Sequence, residues 1–439
     1  MADVTLMKTA AELALEAQWE DAKGRLPGAA RLRQSAFEQF AKAGLPHRRV
    51  EEWKYTDLRA LVRDAKPLAE PPDGAAKARA ASAGKVLADI ECRRLVFVDG
   101  AFVPDLSQLD GLEPGLTISS MANALAGGDA LVSAHLGRVL PAVNDVAVAL
   151  NTAFMGDGAV IRLASGATVE RPLHLVFASS GGKPASIFTR SLVVIEPGAR
   201  VMLVESHDGA GSDYQVNTAL ECIVGDGAHV DHVKITDEAA TALHVSTLMA
   251  AVGAHARFNT FTFNIGGAIV RNQLFLRFSG NETVAGIRGA SLAKGRQHVD
   301  TTLVVEHASL GCQSREVFKS VLEDESRAVF QGKIIVQPGA QKTDAKMASH
   351  ALLLSERAEA DNKPELEIFA DDVQCGHGAT AGALDVALLF YLKARGIPAK
   401  EAEALLIQAF VGEAVEGIEH AGLREALMDA AAGWLAARG

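Results

Sequence analysis

The chain has 439 residues, which is long enough for two or three domains with a sizeable core. Hydrophobic residues make up 49% of it and charged residues 22%, a composition typical of soluble globular proteins. The net charge of −11 argues against a general nucleic-acid binder and against a protein of anionic membrane surfaces, because both need a basic face.

Signal and cysteine patterns both favour the cytoplasm. The N-terminal sequence lacks the basic and apolar regions of a signal peptide, and no apolar run approaches the roughly 20 residues that cross a bilayer. Cys92, Cys222, Cys312 and Cys375 lie far apart without a CxxC pair, which argues against a disulfide framework and against a closed zinc site. We therefore expect a cytoplasmic protein with reduced thiols, of which the first three are buried apolar residues.

Residues 1–65 are predicted to form a helical region. The segments TAAELALEAQWEDAKGRLPG and RLRQSAFEQFAKAGLP are rich in alanine and carry apolar residues at helical spacing, with glycine or Gly-x-Pro at their ends. Residues 66–91 are rich in proline, alanine and glycine and are predicted to form a linker.

Residues 92–377 are predicted to form a large all-β unit with almost no helix. Short runs alternate apolar and polar residues, as in RNQLFLRF and HVDTTLVVEH, and Gly-Ala or Pro-Gly-Ala turns separate them. A coiled β-solenoid fits better than one sandwich, because each turn of a solenoid needs small residues at its corners. The repeat is irregular, since Gly198, Gly227 and Gly253 are 29 and 26 residues apart, so several β-sandwiches in series remain the alternative.

Residues 378–439 are predicted to be helical again. LDVALLFYLKARGIP places Leu384, Leu388 and Tyr391 on one face and ends at Gly396. AKEAEALLIQAFVGEAV and LREALMDAAAGWLAAR predict two further helices.

The segment DDVQCGHGAT, residues 371–380, lies where the β unit meets the helices. Cys375 and His377 are two residues apart, so in a strand they would share a face. They could form half of a metal site, because two ligands cannot complete a tetrahedral one, or a cysteine nucleophile with an activating imidazole. Gly376 and Gly378 favour a third reading, a tight turn between a strand and a helix.

Nucleotide hydrolysis has no support in the motifs. A phosphate-binding loop needs GxxxxGK followed by serine or threonine. Around Gly332 and Lys333, Arg327 occupies the first glycine position and Ile334 the hydroxyl position. We therefore expect no nucleotide site in this chain, although it could work with a partner that hydrolyses ATP.

A solenoid enzyme acting on a polysaccharide is a further alternative, since such folds present carboxylates on one face. The candidate carboxylates are Asp300, Glu306, Asp344, Glu365 and Glu367. Aromatic residues make up only 5% of the chain, which argues against an aromatic-lined sugar groove. The histidines of the β unit, none in an HExxH motif, are expected to be structural or superficial: His207, His229, His232, His244, His255, His298, His307 and His350.

Three stretches of the sequence resemble the SufB/SufD family of iron–sulfur cluster assembly proteins. QGKIIVQPGAQKTDAKMASHALLLSERAEADNKPELEIFADDVQCGHGATAGALDVALLFYLKARGIP resembles its C-terminal signature. GLPHRRVEEWKYTDL, residues 44–58, resembles the N-terminal element of the SufD branch, and HVDTTLVVEHASLGCQSREVFKSVLEDESRAVFQGK its middle region. Gly376 departs from the pattern, in which serine often stands between the cysteine and the histidine.

This resemblance implies a right-handed parallel β-helix flanked by helical N- and C-terminal regions. It also implies a non-catalytic scaffold that contacts a SufB-type paralogue and a SufC-type ABC ATPase, with a nascent iron–sulfur cluster at the paralogue interface. His377 corresponds to a proposed iron ligand and Cys375 to a thiol near that interface. The alternative is a structural adaptor that binds no iron, and a homodimer in the absence of the paralogue stays open.

The helical end is where the resemblance implies ATPase docking. Apolar positions of its helices are the candidate contacts: Leu388, Tyr391, Leu405 and Phe410.

Overall fold

The computed structural model describes residues 7–140, 143–209, 211 and 213–438, so the first six residues of the predicted N-terminal region lie outside the described part. The described residues contain ten α-helices: α1 Ala10–Ala22, α2 Ala30–Ala43, α3 Leu58–Leu61, α4 Gly74–Ala80, α5 Met121–Gly127, α6 Ala130–His135, α7 Val146–Phe154, α8 Val386–Ala394, α9 Ala399–Val415 and α10 Ala421–Ala436.

The strands begin at residue 93 and end at residue 382. In chain order they are β1 Arg93–Val98, β2 Ala101–Phe102, β3 Leu116–Ser120, β4 Ala159–Leu163, β5 Leu173–Ser179, β6 Ala185–Ile195, β7 Arg200–Gly209, β8 Tyr214–Val224, β9 His229–Asp237, β10 Leu243–Val252, β11 Arg257–Asn264, β12 Ile269–Phe278, β13 Val284–Ala293, β14 His298–His307, β15 Gln313–Leu322, β16 Arg327–Val336, β17 Asp344–Leu353, β18 Glu359–Ile368 and β19 Gln374–Gly382.

From β4 onward the chain winds as a β-solenoid of about eight turns. Successive strands alternate between two sheets: odd-numbered strands from β5 to β19 pair in parallel in one, and even-numbered strands from β4 to β18 in the other. Tight turns join the sheets, and Gly198 and Gly227 adopt positive φ angles of 70° and 65° there, which favours glycine. The prediction of a mainly β solenoid with helical ends is confirmed.

The interior between the sheets is filled by side chains stacked in register. Leu274, Leu276 and Phe278, predicted to share one side of a strand, all belong to the main buried cluster. Leu274 and Leu276 pair in register with Leu303 and Val305 on β14, which are buried in the same cluster. Each turn therefore buries its apolar residues on the turns above and below, and this continuous burial is the main source of stability in such a fold.

The N-terminal helices are anchored to the even-numbered sheet through Trp53. This side chain is 1% exposed and lies 3.8 Å from the Arg271 guanidinium, and its indole Nε1 donates to Asp145 at 2.8 Å. Arg271 forms a fully buried ion pair with Asp300, to which the Thr56 hydroxyl also donates. The segment EEWKYT thus packs on one side of the solenoid, and it supplies a hydrogen bond to the buried Arg271–Asp300 pair.

Helices α5, α6 and α7 were not predicted, and the expectation of almost no helix in residues 92–377 is wrong for residues 121–127, 130–135 and 146–154. Each helix begins after a residue whose side chain accepts hydrogen bonds from the first turn: Ser120, Asp129 and Asp145. These caps and the alanine-rich segments between them favour helix over the surrounding β pattern.

The C-terminal helices α9 and α10 cover the outer face of the odd-numbered sheet. Ile407, Val411 and Leu427 are buried in one cluster with Phe261 and Phe263 of β11. Helix α8 differs, because none of its residues is buried although most of its side chains are apolar. In the segment before the solenoid, α4 packs two alanines against β1.

Candidate functional site

The C-terminal end of the solenoid, formed by β18 and β19, is open. Each of these strands is the last of its sheet, with a strand partner on one side only among the described residues. We call this surface the open end. The backbone donors and acceptors on the free side of these strands are available to another chain. Natural proteins rarely leave such a strand edge uncovered.

Cys375 and His377 lie on β19, so the expectation that DDVQCGHGAT forms a tight turn before a helix is wrong. In register, Cys375 follows Ala345 of β17, and His377 follows Met347. Ala345 and Met347 are both buried in the main core cluster, inside the solenoid. Because partners on neighbouring parallel strands project to the same face, Cys375 and His377 are the last members of two inward-facing columns.

The two side chains differ in exposure. Cys375 is half-buried and packs against the main core cluster, whereas His377 is exposed. Desolvation by burial raises the pKa of the Cys375 thiol, so the free thiol stays protonated near neutral pH. This argues against a cysteine nucleophile, which needs a lowered pKa, but it allows a metal to bind the thiolate with release of a proton.

Glu316 lies in the same column as His377, two strands below the open end. In register it is followed by Met347 and then by His377. Its side chain is 0% exposed, and neither carboxylate oxygen has a hydrogen-bond partner among the described residues. Burial raises the pKa of Glu316 to about 7. The sequence analysis missed this residue, although its period-two spacing with buried Phe318 was a usable signal.

The carboxylates considered for a polysaccharide enzyme are each paired with a basic side chain: Asp300 with Arg271, Glu306 with Arg277 at 3.5 Å, Asp344 with Arg315 at 2.5 Å, Glu365 with Lys363 at 3.5 Å and Glu367 with Lys333 at 3.0 Å. Gly332 and Lys333 lie within β16 rather than in a loop before a helix. A Cβ atom on Gly332 would meet the Met347 sulfur at 2.2 Å, so this glycine makes room for core packing.

The four candidate docking residues fall into two groups. Leu388, Tyr391 and Leu405 are 51%, 53% and 43% exposed. Phe410 instead packs against the C-terminal core, with the Lys319 ammonium 4.3 Å from its ring. The sequence analysis missed Val386 and Phe390 of α8, which are 77% and 72% exposed. The exposed apolar surface is therefore centred on α8.

Comparison with known proteins identifies the family. The domain described as "SUF system FeS cluster assembly, SufBD core domain" matches residues 177–410, and the "SufBD protein N-terminal region" matches residues 22–175. The chain belongs to the SufBD family. The open end and its cysteine–histidine pair, residues 359–382, lie within the part matched by the SufBD core domain.

Relatives match over nearly the whole chain. An iron–sulfur cluster assembly SufBD family protein of Synechocystis is 32% identical over 89% of this chain and 88% of its own length. The iron–sulfur cluster assembly protein SufD of Escherichia coli is 29% identical over 90% of both chains, and SufD of Bacillus subtilis 27% over 90% and 92%. No helix in the described residues is long and apolar enough to span a membrane.

Proposed function

We propose that this chain is a non-catalytic scaffold subunit for iron–sulfur cluster assembly, in which Cys375 and His377 bind nascent iron at the contact with a SufB-type paralogue. The family supports the assembly role. The observation that carries the site assignment is the register of β19, which ends two inward-facing columns with a thiol and an imidazole at the open end.

The ligand pair suits a cluster that is built and then released. Clusters that stay in a protein are usually held by four thiolates. An imidazole is a weaker iron ligand than a thiolate, and two ligands on one chain leave the remaining positions to a neighbour. A ligand set divided between two chains can be separated when those chains move.

The open end itself supports a paired arrangement. Its two strands present unpaired backbone groups, and Pro364 in β18 is a residue that sheets tolerate at an edge. A paralogue with the same fold could cover it with its own open end. A second copy of this chain could do the same when the paralogue is absent, which would give a homodimer.

The C-terminal helices would dock a SufC-type ABC ATPase. Helix α8 exposes Val386, Leu388, Phe390 and Tyr391 on a helix with no buried residue, and contiguous exposed apolar surface of this kind marks interaction sites. The ATPase would supply the movement, because this chain contributes no nucleotide site in the proposal. The complex would operate in the cytoplasm.

The test is cluster formation in a complex reconstituted from this chain, the paralogue and the ATPase. The variant His377→Ala is expected to lower iron and sulfide per complex by about tenfold or more, with assembly of the complex unchanged. The matched control is His350→Ala. His350 lies one strand below on β17 and pairs in register with Thr380, with its imidazole bonded to the Thr380 hydroxyl at 2.7 Å.

Three results would contradict the assignment. A full cluster yield from His377→Ala would remove the imidazole from the site. A full yield from the double variant Cys375→Ala/His377→Ala, with the complex intact, would leave only the role of a structural adaptor. An equal loss from His350→Ala would show that the effect comes from the end of the sheet rather than from the ligand.

A further inference from the structure

A second group of potential metal ligands lies inside the solenoid, far from the open end. His207 is near the end of β7, and Glu238 and His244 flank the turn between β9 and β10. One ligand atom from each residue lies within 4.8 Å of the other two. Six strand spacings separate β7 from β19 and four separate β10 from β18, so this group is roughly 19–29 Å from the open end, at about 4.8 Å per spacing.

The three side chains are enclosed by protein. His207 is 1%, Glu238 6% and His244 0% exposed. One ring nitrogen of His244, Nδ1, lies 3.0 Å from a Glu238 oxygen, whereas Nε2 is buried with no hydrogen-bond partner among the described residues. Buried polar atoms without partners are rare in native structures, and each one calls for a ligand or another physical reason.

Each imidazole of the trio has a carboxylate beside it, Glu238 next to His244 and Glu205 next to His207. Glu205 lies behind His207, with a carboxylate oxygen 3.4 Å from Nε2. A carboxylate in this position orients a histidine ligand and makes it more basic.

Charge balance also favours a divalent ion. The buried cluster holds two carboxylates, Glu205 and Glu238, and one amine, Lys234, which donates to Thr236 at 2.8 Å. The acidic groups outnumber the amine, so a bound cation would find a counter-charge inside the cluster.

We propose that His207, Glu238 and His244 form a buried site for a divalent transition-metal ion of the zinc type. Two imidazoles and one carboxylate are a ligand set found in zinc sites. Ligand atoms around a tetrahedral zinc ion are about 3.3 Å apart, so the three donors move together by about 1.5 Å or less on binding. The site is separate from the Cys375–His377 pair and does not depend on cluster assembly.

The experiment measures zinc bound to the full chain in a Cys375→Ala/His377→Ala background, which removes the ligands of the open end. After loading with Zn²⁺ and removal of the excess, elemental analysis is expected to find one zinc per chain. Adding His244→Gln should reduce this to below about one tenth of an equivalent. The matched control is His174→Gln, a buried histidine on β5 that bonds Ser206 at 2.8 Å and lies outside the trio.

Anomalous diffraction at the zinc edge keeps the proposal testable if His244→Gln does not fold. A peak between the three side chains in the zinc-loaded background protein supports the site. No bound zinc, a peak elsewhere, or an unchanged stoichiometry in folded His244→Gln overturns it. Loss of zinc from the His174→Gln control would show that the loss reflects damage to the interior and would also overturn it.

Discussion

Replacing Glu316 with glutamine should change the pH dependence of stability in a defined direction. Burial raises the folded-state pKa of this carboxyl from its ordinary value of 4.5 to about 7. The folded chain therefore keeps the proton at pH values where the unfolded chain has released it, and stability falls as the pH rises through this window. Glutamine has nearly the same shape and carries no proton to lose.

The magnitude follows from the pKa shift. Each pH unit in the window costs about 1.4 kcal/mol, and the window between about pH 5.5 and the folded-state pKa spans about 1.5 units. Glu316→Gln should therefore gain about 2 kcal/mol relative to the parent protein between about pH 5.5 and about pH 8.5. Denaturant unfolding followed by circular dichroism at both pH values measures the difference, with the exposed Glu356→Gln as the control.

The reasoning would be refuted if the difference in unfolding free energy between Glu316→Gln and the parent protein were the same at both pH values. That result would mean that the Glu316 carboxyl has the same pKa in the folded and unfolded chains. A gain of the same size in Glu356→Gln would attribute the effect to net charge instead.

Four further substitutions test the packing described here. Trp53→Ala should cost about 3–5 kcal/mol of unfolding free energy and expose the N-terminal helices to limited proteolysis, because the indole covers the buried Arg271; an unchanged melting temperature would contradict this. Leu388→Ser should change the free energy of unfolding by less than about 0.5 kcal/mol but weaken capture of the ATPase in a pull-down. Phe410→Ala should cost about 1–3 kcal/mol, because the Phe410 ring packs against the C-terminal core. Equal stability losses in both variants would be inconsistent with an exposed α8. Gly332→Ala should cost about 1–3 kcal/mol in denaturant unfolding, since its Cβ would overlap the Met347 sulfur; a neutral result would mean that this part of the core is loosely packed.

The sequence was most informative where local pattern and tertiary environment agree. Leu274, Leu276 and Phe278 alternate with polar residues and do line the core, because the inward face of every turn must be apolar. The helical ends could be predicted for the same reason. Strand β19 could not be predicted, because Gly376 and Gly378 have low strand propensity. Pairing with β17 along the whole length of β19 overrides that preference.

The candidate site was only half visible in the sequence. The resemblance drew attention to Cys375 and His377, but their inward direction depends on the strand register, which sequence spacing does not determine. The buried trio was hidden for another reason. His207, Glu238 and His244 are far apart in the sequence and meet only because the chain winds into successive turns. Polar residues that alternate along a strand usually indicate its solvent-facing side, so the sequence pattern did not indicate that these residues are buried.

The most direct measurement of the central claim is a cryo-EM or crystal structure of the complete complex loaded with iron. We expect the open end to be covered by the paralogue, with iron density bound by the His377 imidazole and shared with a ligand from the other chain. An open end that faces solvent, with the iron bound elsewhere in the complex, would contradict the account.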